Sequence, residues 1–177
     1  MMPKDEKKGR RAYLNDFKKD ASGKYSYTGK VYHFQENGKS RKRVYGETVL
    51  WCVVLAGATL VNGCIPAPGM TSCFYLLLPY MIQFLFAVSV CYVTGRMIAG
   101  GDPIREYQYE GSVLKLPFRT GGTMVFAGIL LAAEVVYLLT VGTEGAFGTA
   151  VCFLILEALT MAASWMLRRE IKSQKWA

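Results

Sequence analysis

Two long stretches of this 177-residue chain, 44–95 and 120–167, contain no lysine, arginine, histidine or aspartate. These absences exclude several chemistries. The only histidine, His33, lies outside both stretches, so no Ser–His dyad can form within them. Without aspartate there is no paired-aspartate protease. The chain has no HExxH, no glycine-rich phosphate loop with its lysine and no GxSxG. Its five cysteines (Cys52, Cys64, Cys73, Cys91 and Cys152) are spaced by 12, 9, 18 and 61 residues, with no CxxC. Neither a zinc site nor a thioredoxin-like pair is on offer. No enzyme activity, cofactor or metal is expected.

What fills the two stretches is apolar sequence. Each is long enough for two membrane spans of roughly 20 residues. Each breaks in its middle, at NGCIPAPGMTS (62–72) and at VGTEGAFG (141–148). All 21 lysines and arginines lie before Glu47, between Arg96 and Arg119, or from Arg168 onward. Positive charge is retained in the cytoplasm, which puts both termini and the middle loop there. The expected fold is an all-α integral membrane protein of the cell membrane. It is a four-transmembrane-helix bundle built from two tandem helical hairpins, with a small cytoplasmic β-hairpin or β-ribbon element.

The segments follow from composition. Residues 1–24 form a basic cytoplasmic arm, 25–46 a β-hairpin and 47–99 the first two spans. Residues 100–120 form a cytoplasmic β-like loop, 121–168 the other two spans and 169–177 a cytoplasmic tail. The charged arm ahead of the first apolar run marks that run as a retained span, not a cleaved leader. Before Glu47, 13 basic residues face 5 acidic ones and supply most of the net charge of +8. Tethered beside a bilayer, Lys7, Lys8, Arg10, Arg11, Arg41, Lys42 and Arg43 face anionic lipid headgroups, not nucleic acid.

Within the arm, Tyr13, Leu14 and Phe17 fall on one face if 3–20 is helical, a short amphipathic segment. The plainer alternative is a solubilising arm without fixed structure. Asn37-Gly38 between β-forming residues predicts the turn of a hairpin over 25–46. Tyr25, Tyr27, Gly29 and Val31 recur as Tyr107, Tyr109, Gly111 and Val113. In extended strands those four share one face, so the chain reads as a tandem duplication, a parallel repeat of β-element plus helical hairpin. The four tyrosines are candidate docking residues. Trp51, Trp165 and Trp176 are expected at the inner interface, and Tyr75 and Tyr137 at the outer one.

Inside the spans, Glu134 and Glu157 are candidate functional groups, because an ionisable residue in a bilayer is costly. Counted from the outer turn, they differ in height by roughly 5 Å. No cation in any span can pair with them. Polar stripes extend each helical face: Thr48, Cys52, Thr59 and Asn62 on the first; Tyr80, Gln83, Ala87 and Thr94 on the second. Thr123, Ala127 and Glu134 follow on the third, and Glu157, Thr160 and Ser164 on the fourth. They fit a proton or cation pathway, or interhelical hydrogen bonding. Small residues at Gly128/Ala132 and Ala158/Ala162 fit close helix packing. Cys64 and Cys73 flank the outer loop, placed to form a disulfide or simply to pack as small residues.

One local likeness adds to this. GILLAAEVVYLLT (128–140) resembles the first helix of small multidrug-resistance transporters, where a membrane glutamate flanked by small residues couples proton to drug. The likeness implies a proton-coupling role for Glu134 alone. It covers about a dozen residues and falls in the third helix; the basic arm and β-elements have no counterpart in that family. The leading expectation is a non-enzymatic membrane interaction or accessory protein, with a protein partner or as a homo-oligomer. The alternative is a small proton-coupled carrier or cation-conducting oligomer.

Overall fold

The computed structural model of the protein describes residues 16–19, 23–36, 40–142 and 145–177. Its helices, in chain order, are α1 (Arg41–Cys64), α2 (Pro68–Ser72), α3 (Phe74–Ala99), α4 (Glu106–Gly111), α5 (Leu116–Thr140) and α6 (Phe147–Ser173). Four of them, α1, α3, α5 and α6, are long and apolar enough to cross a membrane. They form an up-and-down bundle. α6 packs against both α1 and α5, α5 packs against α3, and α3 closes more loosely on α1. The first hairpin is therefore held more by the second than by its own two helices. The short α2 packs between the ends of α3 and α5.

The bundle wears its apolar residues outside. Val53, Leu60, Leu78, Leu85, Val88, Leu139 and Ile155 are exposed, whereas Thr48, Asn62, Gln83, Glu134, Glu157 and Ser164 are buried. All four polar stripes expected from the sequence turn inward. The small pairs do not: Ala132, Ala158 and Ala162 are exposed, and a side chain added at Gly128 would meet nothing. Tyr137, expected at the outer interface, is instead buried with Leu76, Leu130 and Phe153.

The β-structure departs most from expectation. Strands β1 (Phe17–Lys19), β2 (Tyr25–Tyr27), β3 (Val31–Tyr32), β4 (Phe34–Gln35), β5 (Ile104–Arg105) and β6 (Lys175–Trp176) form three separate antiparallel pairs. β1 pairs with β2, β3 with β5 and β4 with β6. The hairpin expected over 25–46 has no return strand, because Arg41–Gly46 is the first turn and more of α1. Helix wins there for local reasons: the Arg41 N–H donates to Glu36 Oε1 at 3.4 Å, and Arg43 pairs with Glu47 at 2.9 Å one turn on. The Asn37-Gly38 turn lies outside the described residues.

The repeat fails in the same way. Tyr25–Tyr27 is a strand, but Tyr107, Tyr109 and Gly111 belong to α4, so the matched residues do not share one extended face. Glu106 at the positive end of α4 favours the helix, and the Ser112 hydroxyl donates back to the Gln108 carbonyl at its other end. In the loop expected to be β-like, only Ile104–Arg105 is strand. Gly101, with φ of +72°, makes the turn out of α3 that a side chain would strain. Phe17 sits in β1, not on an amphipathic helix; Tyr13, Leu14, Lys7, Lys8, Arg10 and Arg11 lie outside the described residues.

The three pairs gather segments from before α1, between α3 and α5, and after α6 at one end of the bundle. Rings bind this platform together. Tyr32 stacks on Tyr109 at 4.4 Å, and Trp176 meets Tyr109 at 6.0 Å and Phe34 at 5.4 Å. Phe17 and Tyr107 flank Tyr27, and the Arg105 guanidinium covers both Phe17 and Tyr27. Backbone bonds between His33 and Ala177, at 2.7 and 3.1 Å, extend the β4–β6 ladder.

Trp176→Ala removes two ring contacts, each worth about 0.5–1.5 kcal/mol. The expected outcome is faster amide hydrogen exchange across 31–35 and 106–111 with little change in the midpoint of bundle unfolding. Hydrogen-exchange mass spectrometry in detergent checks it.

Candidate functional site

Around Glu157 the inward stripes of three helices meet. Both carboxylate oxygens are engaged: Asn62 Nδ2 on α1 donates to Oε1 at 2.7 Å, and Gln83 Nε2 on α3 donates to Oε2 at 2.8 Å. All three side chains are fully buried. The donors are side-chain amides; residues 44–95 and 120–167 contain no lysine, arginine or histidine to take their place. Each amide keeps an unsatisfied carbonyl oxygen, Asn62 Oδ1 and Gln83 Oε1. One layer further out, the Tyr80 hydroxyl donates to the Thr59 carbonyl at 2.9 Å. Gly63 lets that ring lie against α1, since a Cβ there would collide with the Tyr80 hydroxyl.

Glu134 is placed differently. It is also fully buried, on α5 beneath α2, and the Gly69 backbone amide approaches it. Neither of its oxygens completes a hydrogen bond. A Cβ on Gly69 would collide with Glu134 Oε2 and with Leu76, so only glycine lets α2 settle this closely on the carboxyl. The two glutamates have different neighbours: Glu157 is tied to Asn62 and Gln83, and Glu134 faces α2 at Gly69.

Thr160 and Ser164 do not join the Glu157 cluster. Their hydroxyls donate back along α6, to Leu156 at 2.9 Å and Thr160 at 2.8 Å. This is the local bonding by which buried hydroxyls satisfy themselves within a helix. Cys64 is exposed and Cys73 half-buried, and both are free thiols. A closer pair escaped notice in the sequence: Cys52 and Cys91 on α1 and α3 face each other with sulfurs 3.6 Å apart. They are 39 residues apart in the chain, and no spacing rule connects them.

Of the candidate docking tyrosines, Tyr25 alone is open, at 73% exposure. Tyr27, Tyr107 and Tyr109 are spent on the platform's own ring contacts. Burial, then the nearby Asp16 carboxylate, pushes the Tyr27 phenol above its usual range, and its hydroxyl donates to the Lys30 carbonyl at 3.2 Å. Burial likewise raises Tyr109. Among the described residues, no group of three His, Cys, Asp or Glu side chains is placed to hold a metal. No protein-family model, curated protein sequence or solved structure matches the chain.

The two glutamates predict opposite responses to the same substitution. Glu157→Leu orphans two buried amide donors, at roughly 1–3 kcal/mol each. Glu134→Leu removes a buried carboxyl whose oxygens complete no hydrogen bond and costs at most the approach of the Gly69 amide. Thermal unfolding in detergent should rank Glu157→Leu well below the parent and Glu134→Leu at or above it. The reverse order would contradict the assigned hydrogen bonding.

Proposed function

We propose that this chain is a non-enzymatic, multi-pass protein of the cell membrane that acts as an interaction or accessory subunit, with both termini cytoplasmic. The observation that carries this reading is the platform. Three separate segments converge at one end of the bundle in two-stranded pairs, and β1–β2 leaves a strand edge unpaired among the described residues. Exposed edges invite strand addition by another chain. Lys18, Lys19 and Tyr25 are exposed on this pair, a surface suited to an acidic partner segment carrying an apolar residue. The Glu157 cluster supports the same reading, since its hydrogen bonds are closed within the chain and serve to lock helices together.

A second reading rests on Glu134. A buried carboxyl without a partner, under a lid that only glycine permits, is a place for a proton or a small cation to be held. On that reading the assembly is a proton-coupled carrier or cation-conducting oligomer, and α2 is the part that moves.

Topology is tested by thiol labelling of intact cells. Cys64 should react with a membrane-impermeant reagent, whereas a cysteine at Ser26 should react only after permeabilisation. Function is tested by mild-detergent purification of the parent and of a Lys18→Glu/Lys19→Glu/Tyr25→Ser variant. A stoichiometric second protein, lost in the variant while the bundle elutes unchanged, is expected. A lone homo-oligomer whose cation flux in proteoliposomes disappears with Glu134→Gln would overturn the accessory reading in favour of the second.

A further inference from the structure

The outward face between α3 and α5 is not smooth. A cleft of about 640 Å³ opens there, lined by Ile82, Leu85, Phe86 and Ser89 on α3 and by Leu114, Lys115, Phe118 and Arg119. On α3 the lining residues recur at i, i+3, i+4 and i+7, one helical face. From Ser89 to Ile82 that wall climbs roughly 10 Å. The cations are confined to the other end, where Lys115 and Arg119 stand one turn apart at the start of α5. The chain there has just left the platform, so these charges lie at the inner edge of the span.

The cleft is built, not incidental. Phe86 forms its floor, stacked on Phe126 at 5.9 Å and edge-on to Phe118 at 6.3 Å. That ring reaches α5 because position 122 is glycine: a Cβ there would come within 2.6 Å of the Phe86 ring. Neither Lys115 nor Arg119 has an ion-pair partner among the described residues. Two unpaired cations thus close one end of a trough whose remaining lining is aromatic and aliphatic, with Ser89 the only other polar side chain.

We propose that this cleft binds an anionic phospholipid, its phosphate between Lys115 and Arg119 and an acyl chain along Ile82, Leu85, Phe86 and Phe118. Charge complementarity selects the headgroup, and the apolar wall beyond it selects a molecule that continues as hydrocarbon. The positive end of the α5 backbone dipole adds to the attraction for phosphate. The proposal rests on the reading that α3 and α5 cross the bilayer. It assigns to the middle loop a defined lipid contact, distinct from the diffuse attraction of the N-terminal arm.

The test is native mass spectrometry of the full chain released from nanodiscs of equal parts phosphatidylglycerol and phosphatidylcholine. Phosphatidylglycerol should be retained selectively. Lys115→Gln/Arg119→Gln should lower that retention by about 30-fold, roughly fivefold for each cation removed. Ser89→Trp, which places a bulky ring in the cleft and keeps both charges, should also lower it without shifting the elution volume. The charge-matched control Lys18→Gln/Lys19→Gln should retain the lipid. Equal retention of the two lipids, survival of selectivity in the double variant, or equal loss in the control would overturn the proposal. So would displacement by glycerol phosphate, which carries the anion without the chain. A parent protein that never enters nanodiscs overturns the membrane reading itself, an outcome separate from loss of selectivity.

Discussion

The Glu157 carboxylate, accepting one hydrogen bond from α1 and one from α3, joins three of the four long helices at a single height. Apolar contact between helices is weakly directional and tolerates sliding or rotation. A carboxylate with two fixed amide donors does not, because turning any of the three helices by one residue leaves a buried polar group unmatched. Register in this bundle is set by that constraint. The inward stripes follow from it: once Asn62, Gln83 and Glu157 face one another, the periodicity of each helix brings Thr48, Thr59, Thr94, Thr160 and Ser164 to the interior as well.

Apolar packing fills the levels above and below. Near the platform, Val90, Val93, Met97, Leu116, Leu167 and Ile171 form one layer, with Cys52 among them. At the far end Leu76, Tyr80, Leu130, Tyr137 and Phe153 form another, with Ala67 beneath the α2 lid. Between them lies a thin layer of Leu55, Ala87 and Ala163, where the helices approach on small side chains. The glycines that matter are those at helix–helix approaches. Gly63 admits Tyr80, Gly69 admits Glu134, and Gly122 admits Phe86. Each lets a large or polar side chain from one helix lie against the backbone of another.

The two ends of the molecule are organised by different forces. The platform end is held by aromatic stacking and short ladders drawn from three distant segments, with Asp102 between His33 at 3.4 Å and Arg41 at 3.4 Å as a further tie. The lid end relies on close backbone approach, and there the unpartnered Glu134 is tolerated. The platform and the buried Glu134 thus lie at opposite ends of the bundle.

Much of the fold was legible in order and in kind. Hydropathy length and the absence of cations place four helices within a few residues, since both depend on local composition alone. Helical period correctly turned every polar stripe inward. What the chain could not disclose is which distant residues meet. Four identities in seven made 107–113 look like a second strand, but Glu106 and the Ser112–Gln108 bond turned it into helix. Asn37-Gly38 pointed to a local hairpin, while the strands took partners from the middle loop and the tail. The site divided the same way. That Glu134 and Glu157 are buried followed from composition and period. That amides answer one and a glycine-backed lid covers the other was decided by tertiary packing, because hydrogen bonds between helices depend on relative rotation and height, which no single helix encodes.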